Sequence, residues 1–263
     1  MRIQQWIVRN SSKQHAVIIA LFVVMIFVLG GCVSVEKTAK KAQLAQLYTE
    51  MGIGYLRNEQ YKTAKERLLK AIENKPDYPP AHHYLAQVYY QLGNVEQAQH
   101  YYDRSLELDA TDPFLQNNYA VFLCNIGRVE ESEVWFLKLA KNVDYGAPHL
   151  LYENLGNCVY RGQSREQQVR AEGYFKRALT FDPKLIVSLT RMAEINFNRG
   201  DYFKARAFLE RFVALESYTP EMLLLGVKIE KQLGDEKMMA HYKQLLMERF
   251  GRTIQASQAS QLE

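Results

Sequence analysis

The stretch PPAHHYLAQVYYQLGNVEQAQHYYDRSLELDATD, residues 79–112, decides the fold. Within it the small residue Ala86 is followed twelve positions later by Ala98, and four positions after that by the bulky Tyr102. The apolar residues have helical spacing, and Gly93 falls between the two helical segments, where a left-handed backbone is easy for glycine. The stretch therefore predicts a helix–turn–helix unit of 34 residues.

The same order of small and bulky residues recurs along the chain. The first small residue of each copy follows the preceding one after 33 to 37 positions, at Gly52, Ala86, Ala120, Gly156, Ala193 and Gly226. The second helices repeat a small residue at Ala64, Ala98, Ser132, Ala171 and Ala205, and a bulky one at Leu68, Tyr102, Phe136, Phe175 and Leu209. An amphipathic bundle would share the 3.6-residue spacing but would not keep this order at such a period. The pattern is that of the tetratricopeptide repeat.

The predicted fold is all-α, a tetratricopeptide-repeat superhelical solenoid of about six helix–turn–helix repeats. The repeats are expected within residues 45–250, at 45–78, 79–112, 113–148, 149–185, 186–218 and 219–250. The sixth copy matches least well and is interpreted as a cap, because the last apolar face of a solenoid has no neighbour. The polar residues 251–263 are predicted to be a disordered tail.

The N-terminus has a different composition. Arg2, Arg9 and Lys13 precede an unbroken apolar run of 14 residues at 16–29. A membrane-spanning helix needs about 20 apolar residues, so the run is too short for one. A positive start, a short apolar run and small residues after it are typical of a secretory signal peptide, here residues 1–31.

The sequence Leu29-Gly30-Gly31-Cys32 resembles a bacterial lipobox. This resemblance implies cleavage before Cys32 and acyl chains on its sulfur and its amine, because one chain alone gives only marginal membrane binding. A linker at 32–44 would follow, and Val33 in place of aspartate resembles a passenger sorted to the outer membrane, at its periplasmic face. The alternative is a signal anchor with a buried cysteine.

Composition and motifs exclude several classes of function. Without the three signal-peptide cations the formal net charge falls from +4 to +1, and no basic stripe suggests a nucleic-acid partner. No catalytic, phosphate-binding or metal-binding motif occurs, so we expect neither an enzyme nor a cofactor, a metal site or a small-molecule substrate. The sequence instead favours a protein that binds other proteins.

The first helices of this fold line a concave groove at repeat positions 2, 5, 9, 12 and 13. In the first two copies these positions include Ile53, Leu56 and Tyr90. We expect them to form a solvated apolar patch, which commonly marks a partner site. The alternative is that the linker helix, with Leu44 and Leu47, folds back over them.

Asparagines in the third and fourth copies raise a second possibility for the groove. Some peptide-binding repeats of this type hold a terminal carboxylate with asparagines and lysines. Here the matching lysines are missing, although Arg161 is close to the asparagines in the sequence; the asparagines are at Asn117, Asn118, Asn154 and Asn157. Asparagine in such helices is often structural, since it can bond the neighbouring backbone.

Four segments of the mature chain resemble the type IV pilus biogenesis lipoproteins of the PilF/PilW pilotin family. The segments are NNYAVFLC at 117–124, YENLGNC at 152–158, AEGYF at 171–175 and LLLG at 223–226. The resemblance covers nearly the whole mature chain, departing at Ala120, where glycine is usual, and at an insertion at 162–170.

The resemblance implies a lipid-anchored outer-membrane protein that binds the secretin subunit of the type IV pilus machine. Such a protein helps the secretin to reach the outer membrane and to multimerise, supporting pilus biogenesis. The alternative is an adaptor for peptidoglycan enzymes or for outer-membrane protein assembly.

Cys124 and Cys158 lie on the first helices of adjacent repeats, at similar heights. The resembling family carries cysteines at both places, and free thiols in an oxidising compartment pair when they can meet. We therefore expect a disulfide. Two buried thiols packing as apolar side chains are the alternative.

Overall fold

The computed structural model describes residues 37–142, 145–162, 164–216 and 218–262. These residues form helices and turns, with no strand among them. The predicted signal peptide and Cys32 lie outside this part of the chain. Two compact units are present, an N-terminal unit that ends at Ala110 and a C-terminal unit that begins at Thr111.

The described part of the N-terminal unit has two helix pairs. These are α1 (37–57) with α2 (Tyr61–Asn74), and α3 (Pro79–Gln91) with α4 (Val95–Leu108). Its core is a cluster of Ala64, Leu68, Leu85 and Val88, which joins the two pairs.

The C-terminal unit has four helix pairs and a last short helix. The pairs are α5 (Pro113–Asn125) with α6 (Val129–Leu139), α7 (Pro148–Tyr160) with α8 (Arg165–Phe181), α9 (Ile186–Arg199) with α10 (Tyr202–Val213), and α11 (Pro220–Leu233) with α12 (Glu236–Phe250). Helix α13 (Ile254–Ser260) packs against α11 and α12. The all-α tetratricopeptide fold is thereby confirmed.

Local sequence signals explain where many helices begin. Proline occupies the first helical position at Pro79, Pro113, Pro148 and Pro220, where its missing N–H has no helical partner to lose. Side-chain oxygens cap other starts; Ser164, for example, accepts from the backbone N–H of Gln167, whose side chain accepts from the Ser164 N–H in return. The helices therefore start where short-range chemistry satisfies their free N–H groups.

The paired helices approach closely because a small residue on the first faces a bulky residue on the second. A Cβ atom added to Gly52 would lie 2.6 Å from Leu68 Cγ, and one added to Gly156 would lie 2.7 Å from Phe175 Cε1. At Gly226 the corresponding distance to Tyr242 Cδ2 is 2.9 Å. Even a methyl group would force the facing side chain to move.

The described part of the predicted linker, residues 37–44, is helical and continues into α1. No proline or glycine interrupts residues 37–51, so nothing in the sequence stops the helix there. Ala45 and Thr49, at 0% and 3% exposed, fix its inner side.

The predicted disorder of the C-terminal segment is wrong for its described residues, 251–262. Thr253 caps α13 by accepting a hydrogen bond from the Ala256 N–H, and Ala256 and Ala259 are each 1% exposed. Two alanines three positions apart form a narrow face that fits closely against α11 and α12. The polar composition of the segment concealed this face.

The close approach at Gly156 predicts opposite effects for two glycine-to-alanine changes in the fourth repeat. Gly156→Ala should lower the free energy of unfolding by about 1–3 kcal/mol, because the Phe175 ring must shift in a packed core. Gly173→Ala, where an added Cβ meets nothing within 4 Å, should raise it by about 0.5–1 kcal/mol through helix propensity. Urea unfolding followed by circular dichroism measures both; equal stabilisation by the two changes would contradict the packing argument.

Candidate functional site

The first helices α5, α7 and α9 of the C-terminal unit expose an apolar side chain at the same repeat position. Phe114 is 70% exposed, Leu150 44% and Val187 41%. Each lies six residues before the small residue of its own helix, at the second repeat position. A single exposed apolar residue is ordinary, whereas a row on adjacent helices is a candidate contact surface. We call these three residues the apolar row.

Beside the row lies a cavity of about 350 Å³ lined by both polar and apolar side chains, which we call the arginine cavity. The residues that define it here are Asn154, Asn157, Arg161, Val187 and Arg191. No carboxylate lines it within the described part of the chain. Its rim is therefore positive, and Val187 connects it to the apolar row.

A second cavity of about 400 Å³ adjoins the first, since Tyr160 and Arg191 line both. We call it the lysine cavity, after Lys228 on α11; Glu194 lines it too, and α13 contributes Gln255. Gln255 Nε2 donates to Glu221 Oε1 at 3.0 Å. Helix α13 thus forms one wall of this cavity.

A small polar network separates the two cavities. Arg191 Nη1 donates to Glu194 Oε2 at 2.7 Å, and its guanidinium carbon lies 5.1 Å from the centre of the Tyr160 ring. The Tyr160 hydroxyl lies 3.4 Å from the same carboxylate oxygen. Burial and then the neighbouring Glu194 charge raise the pKa of Tyr160, so its hydroxyl stays a donor at neutral pH.

The groove residues predicted in the N-terminal unit are less solvated than expected. Ile53 and Leu56 on α1 and Tyr90 on α3 are all half-buried. Leu56 packs against the core cluster of its unit, whereas Ile53 does not. The predicted solvation is therefore partial, and for Leu56 it is reduced by packing against the core cluster.

The alternative cover for this patch does not form. Residues 37–57 are one continuous helix, so Leu44 and Leu47 lie on the same helix as Ile53 and cannot fold back over it. Leu47 is 51% exposed. Ile53 thus remains the candidate contact residue of this unit.

The structure joins Cys124 on α5 to Cys158 on α7 by a disulfide with a Cα–Cα distance of 5.6 Å, a usual value for such bonds. Both sulfurs are buried, at 7% and 1% residue exposure, and both residues line the floor of the arginine cavity. Ser132 Oγ lies 3.4 Å from Cys158 Sγ and donates to the Ala120 carbonyl at 2.7 Å. The bond therefore fixes two first helices beneath the polar groove.

The asparagines divide between two environments. Asn117 Nδ2 donates to Asn118 Oδ1 at 3.3 Å, whereas Asn154 and Asn157 line the arginine cavity. Arg161 lines the same cavity, and its Nη1 donates to Asn125 Oδ1 at 2.8 Å. Asn154 and Asn157 therefore line the same cavity as two arginines, Arg161 of the fourth repeat and Arg191 of the fifth.

Sequence reasoning missed Arg191 and the apolar row. The row occupies the second repeat position of the third, fourth and fifth copies, so extending the groove positions to those copies would have found it. Arg191 could not have been found in this way, since its repeat position is not among those that usually face the groove. Its place depends on how α9 packs against α7.

The described residues contain no cluster of histidine, cysteine or acidic side chains that could hold a metal ion. No helix among them is both long enough and apolar enough to cross a membrane. The candidate functional features of the described residues are the apolar row, the two adjoining cavities and the face around Ile53.

Known proteins share both the sequence pattern and the fold. A tetratricopeptide-repeat family model matches residues 55–120. The type IV pilus assembly protein PilF of Pseudomonas aeruginosa is 27% identical over 220 residues, covering 81% of this chain and 86% of PilF. The solved structure of PilF from the same organism has a TM-score of 0.74 at 24% identity, covering 84% of this chain and 98% of that one. The crystal structure of PilW, a widely conserved type IV pilus biogenesis factor, has a TM-score of 0.73 at 25% identity, covering 83% and 99%.

The chain is a tetratricopeptide-repeat protein homologous to PilF and PilW. The resemblance carried by the segments at 117–124 and 152–158 is thus confirmed over 81% of the chain. The matches cover most of this chain and most of each of the two proteins.

The disulfide of this PilF and PilW homologue predicts a redox-dependent stability. The bond closes a loop with a sequence separation of 34, for which chain entropy gives about 3–4 kcal/mol, so reduction should lower the melting temperature. The experiment uses the detergent-purified full chain carrying Cys32→Ser, which leaves two cysteines. Intact mass and thiol titration report the bond, and thermal melting with and without reductant reports its effect.

A variant that also carries Cys124→Ser and Cys158→Ser is the control, and its melting temperature should not respond to reductant. Two free thiols in the non-reduced protein would contradict the bond itself. A bonded protein that melts at the same temperature after reduction would contradict its stabilising role.

Proposed function

We propose that this protein is a pilotin-like assembly factor for the type IV pilus secretin. It is anchored by lipid on Cys32 at the periplasmic face of the outer membrane, and it binds the secretin subunit. In doing so it assists the subunit's localisation to that membrane and its multimerisation. Its action is binding and not catalysis.

The observation that carries this proposal is the extended homology to a type IV pilus assembly protein, together with a surface suited to binding another chain. The apolar row and the adjoining cavities provide apolar and polar contacts within one groove, the combination found in protein interfaces. Nothing in the groove resembles a catalytic arrangement: its arginines and asparagines are donors that orient a partner.

The mechanism follows from joining a binding surface to a membrane anchor. A lipid on Cys32 restricts the protein to one membrane, so a bound subunit is held at that membrane as well. Holding several subunits in one plane raises their effective concentration and favours multimerisation. The repeats need to do no more than bind and release.

Removing the lipidated cysteine tests the delivery step. Cys32→Ala should leave the protein uncleaved or in the inner membrane, and heat-resistant secretin multimers in the outer-membrane fraction should fall to near the level of a strain that lacks the protein. Ser34→Ala, which changes a neighbouring side chain but no lipid, is the matched control. Membrane fractionation and immunoblotting measure the location of each variant and the amount of secretin multimer. Normal secretin multimers in the Cys32→Ala strain would contradict the delivery mechanism.

Ile53→Asp tests whether the groove of the N-terminal unit contacts the partner. Because Ile53 is half-buried and outside the core cluster, the substitution should cost no more than about 1 kcal/mol of folding stability while reducing secretin co-purification several-fold. Leu69→Asp on the second helix α2, where Leu69 is 39% exposed, is the control and should leave co-purification unchanged. Unchanged capture by the folded Ile53→Asp variant would remove this face from the binding surface.

A further inference from the structure

The arginine cavity carries more positive charge than the protein itself neutralises. Arg161 is exposed, lines the cavity and forms no ion pair with any described residue; its guanidinium donates to the neutral amide oxygen of Asn125. Arg191 has one carboxylate neighbour, Glu194, on the side of the lysine cavity. Its Nε atom is buried and has no hydrogen-bond partner within the described residues. Nη1 of Arg191 is occupied by Glu194 and its Nε is buried, so Nη2 is the Arg191 donor available to a ligand, beside the exposed guanidinium of Arg161.

The groups around the cavity match a carboxylate. Guanidinium N–H groups pair with the two oxygens of a planar carboxylate more strongly than with neutral acceptors. The amides of Asn154 and Asn157 add neutral donors on the same wall, and no acidic side chain of the described chain competes within it. An anion with two in-plane oxygens fits this set better than an amide or a hydroxyl.

The surroundings favour a carboxylate that belongs to a peptide segment. Val187 lines the cavity and is 41% exposed, and Leu150 on the neighbouring first helix is 44% exposed. A small free anion would leave both apolar side chains in water, whereas a peptide could cover them. Nucleic acid does not fit, since it requires a continuous basic stripe and exposed apolar side chains do not pair with phosphates.

We propose that the arginine cavity binds an aspartate or glutamate side chain from an acidic segment of a partner protein, while apolar side chains of the same segment cover Leu150 and Val187. This proposal rests on the proposed function in one respect, that the partner is a protein. It adds which chemical groups the partner presents to this groove.

The test uses two libraries of fluorescently labelled nine-residue peptides. In the first, each peptide has three aspartates or glutamates and three leucines, valines or phenylalanines in random order; in the second, asparagine and glutamine replace the acids. Fluorescence anisotropy with the detergent-purified full chain should give at least roughly tenfold tighter binding of the acidic library, as expected for charge-assisted pairing. Raising the salt from about 50 mM to about 500 mM should weaken that binding.

Two variants and a control locate the binding. Arg161→Gln together with Arg191→Gln should weaken acidic-library binding by roughly tenfold or more, and Arg161→Gln alone, at an exposed position, should weaken it by a smaller factor. Arg249→Gln, at an exposed position on α12 that lines neither cavity, should leave it unchanged. Circular dichroism checks that each variant is folded; if the double variant is not, the single variant decides.

Equal binding of the two libraries would overturn the proposal, as would unchanged binding by the folded arginine variants. Displacement of the peptides by inorganic phosphate at low millimolar concentration would also overturn it, because the cavity would then be a small-anion site. These outcomes leave the secretin experiments untouched. Conversely, confirmed acidic-peptide binding in a protein that proves dispensable for secretin multimers would reject the proposed function and retain the site.

Discussion

The structure depends on one recurring contact, a small residue on the first helix of each pair against a bulky residue on the second. Where that residue is Gly52, Gly156 or Gly226, a single added carbon would lie under 3 Å from the facing side chain. Packed interiors tolerate so little extra volume that each contact sets both the separation and the relative height of its two helices. Every surface of a repeat follows from that geometry.

One consequence is the groove of the C-terminal unit. On each first helix the small residue contacts the second helix of the same pair. The residue six positions earlier lies on a different side of the first helix, and Phe114, Leu150 and Val187 are therefore all exposed. Polar contacts then fix neighbouring pairs to each other: Glu153 on α7 accepts from both the backbone N–H and the hydroxyl of Ser188 on α9, at 3.0 and 2.8 Å. Together with the disulfide, this holds three consecutive first helices beneath a polar surface.

At both ends of the repeats the structure differs from what the amino-acid composition predicts. Residues 37–44 extend α1, and α13 covers part of the last helix pair with two buried alanines. Solenoids need a cover for their terminal apolar face, and here that role falls to α13 beyond the degenerate sixth copy. Because α13 also lines the lysine cavity, the cover and the binding groove share a helix.

The sequence by itself determined the helix pairs, their order and the small and bulky residues that join them. These features are local: residues such as Ala86, Ala98 and Tyr102 act within one repeat, and their spacing is visible in the chain. Cys124 and Cys158 could be matched as well, because both lie on neighbouring first helices. The solvation of Leu56, the docking of residues 254–260 and the meeting of Arg161 with Arg191 were decided only by tertiary structure. Each depends on how one helix pair rotates against the next, and that rotation is set by many contacts between repeats that no single motif records.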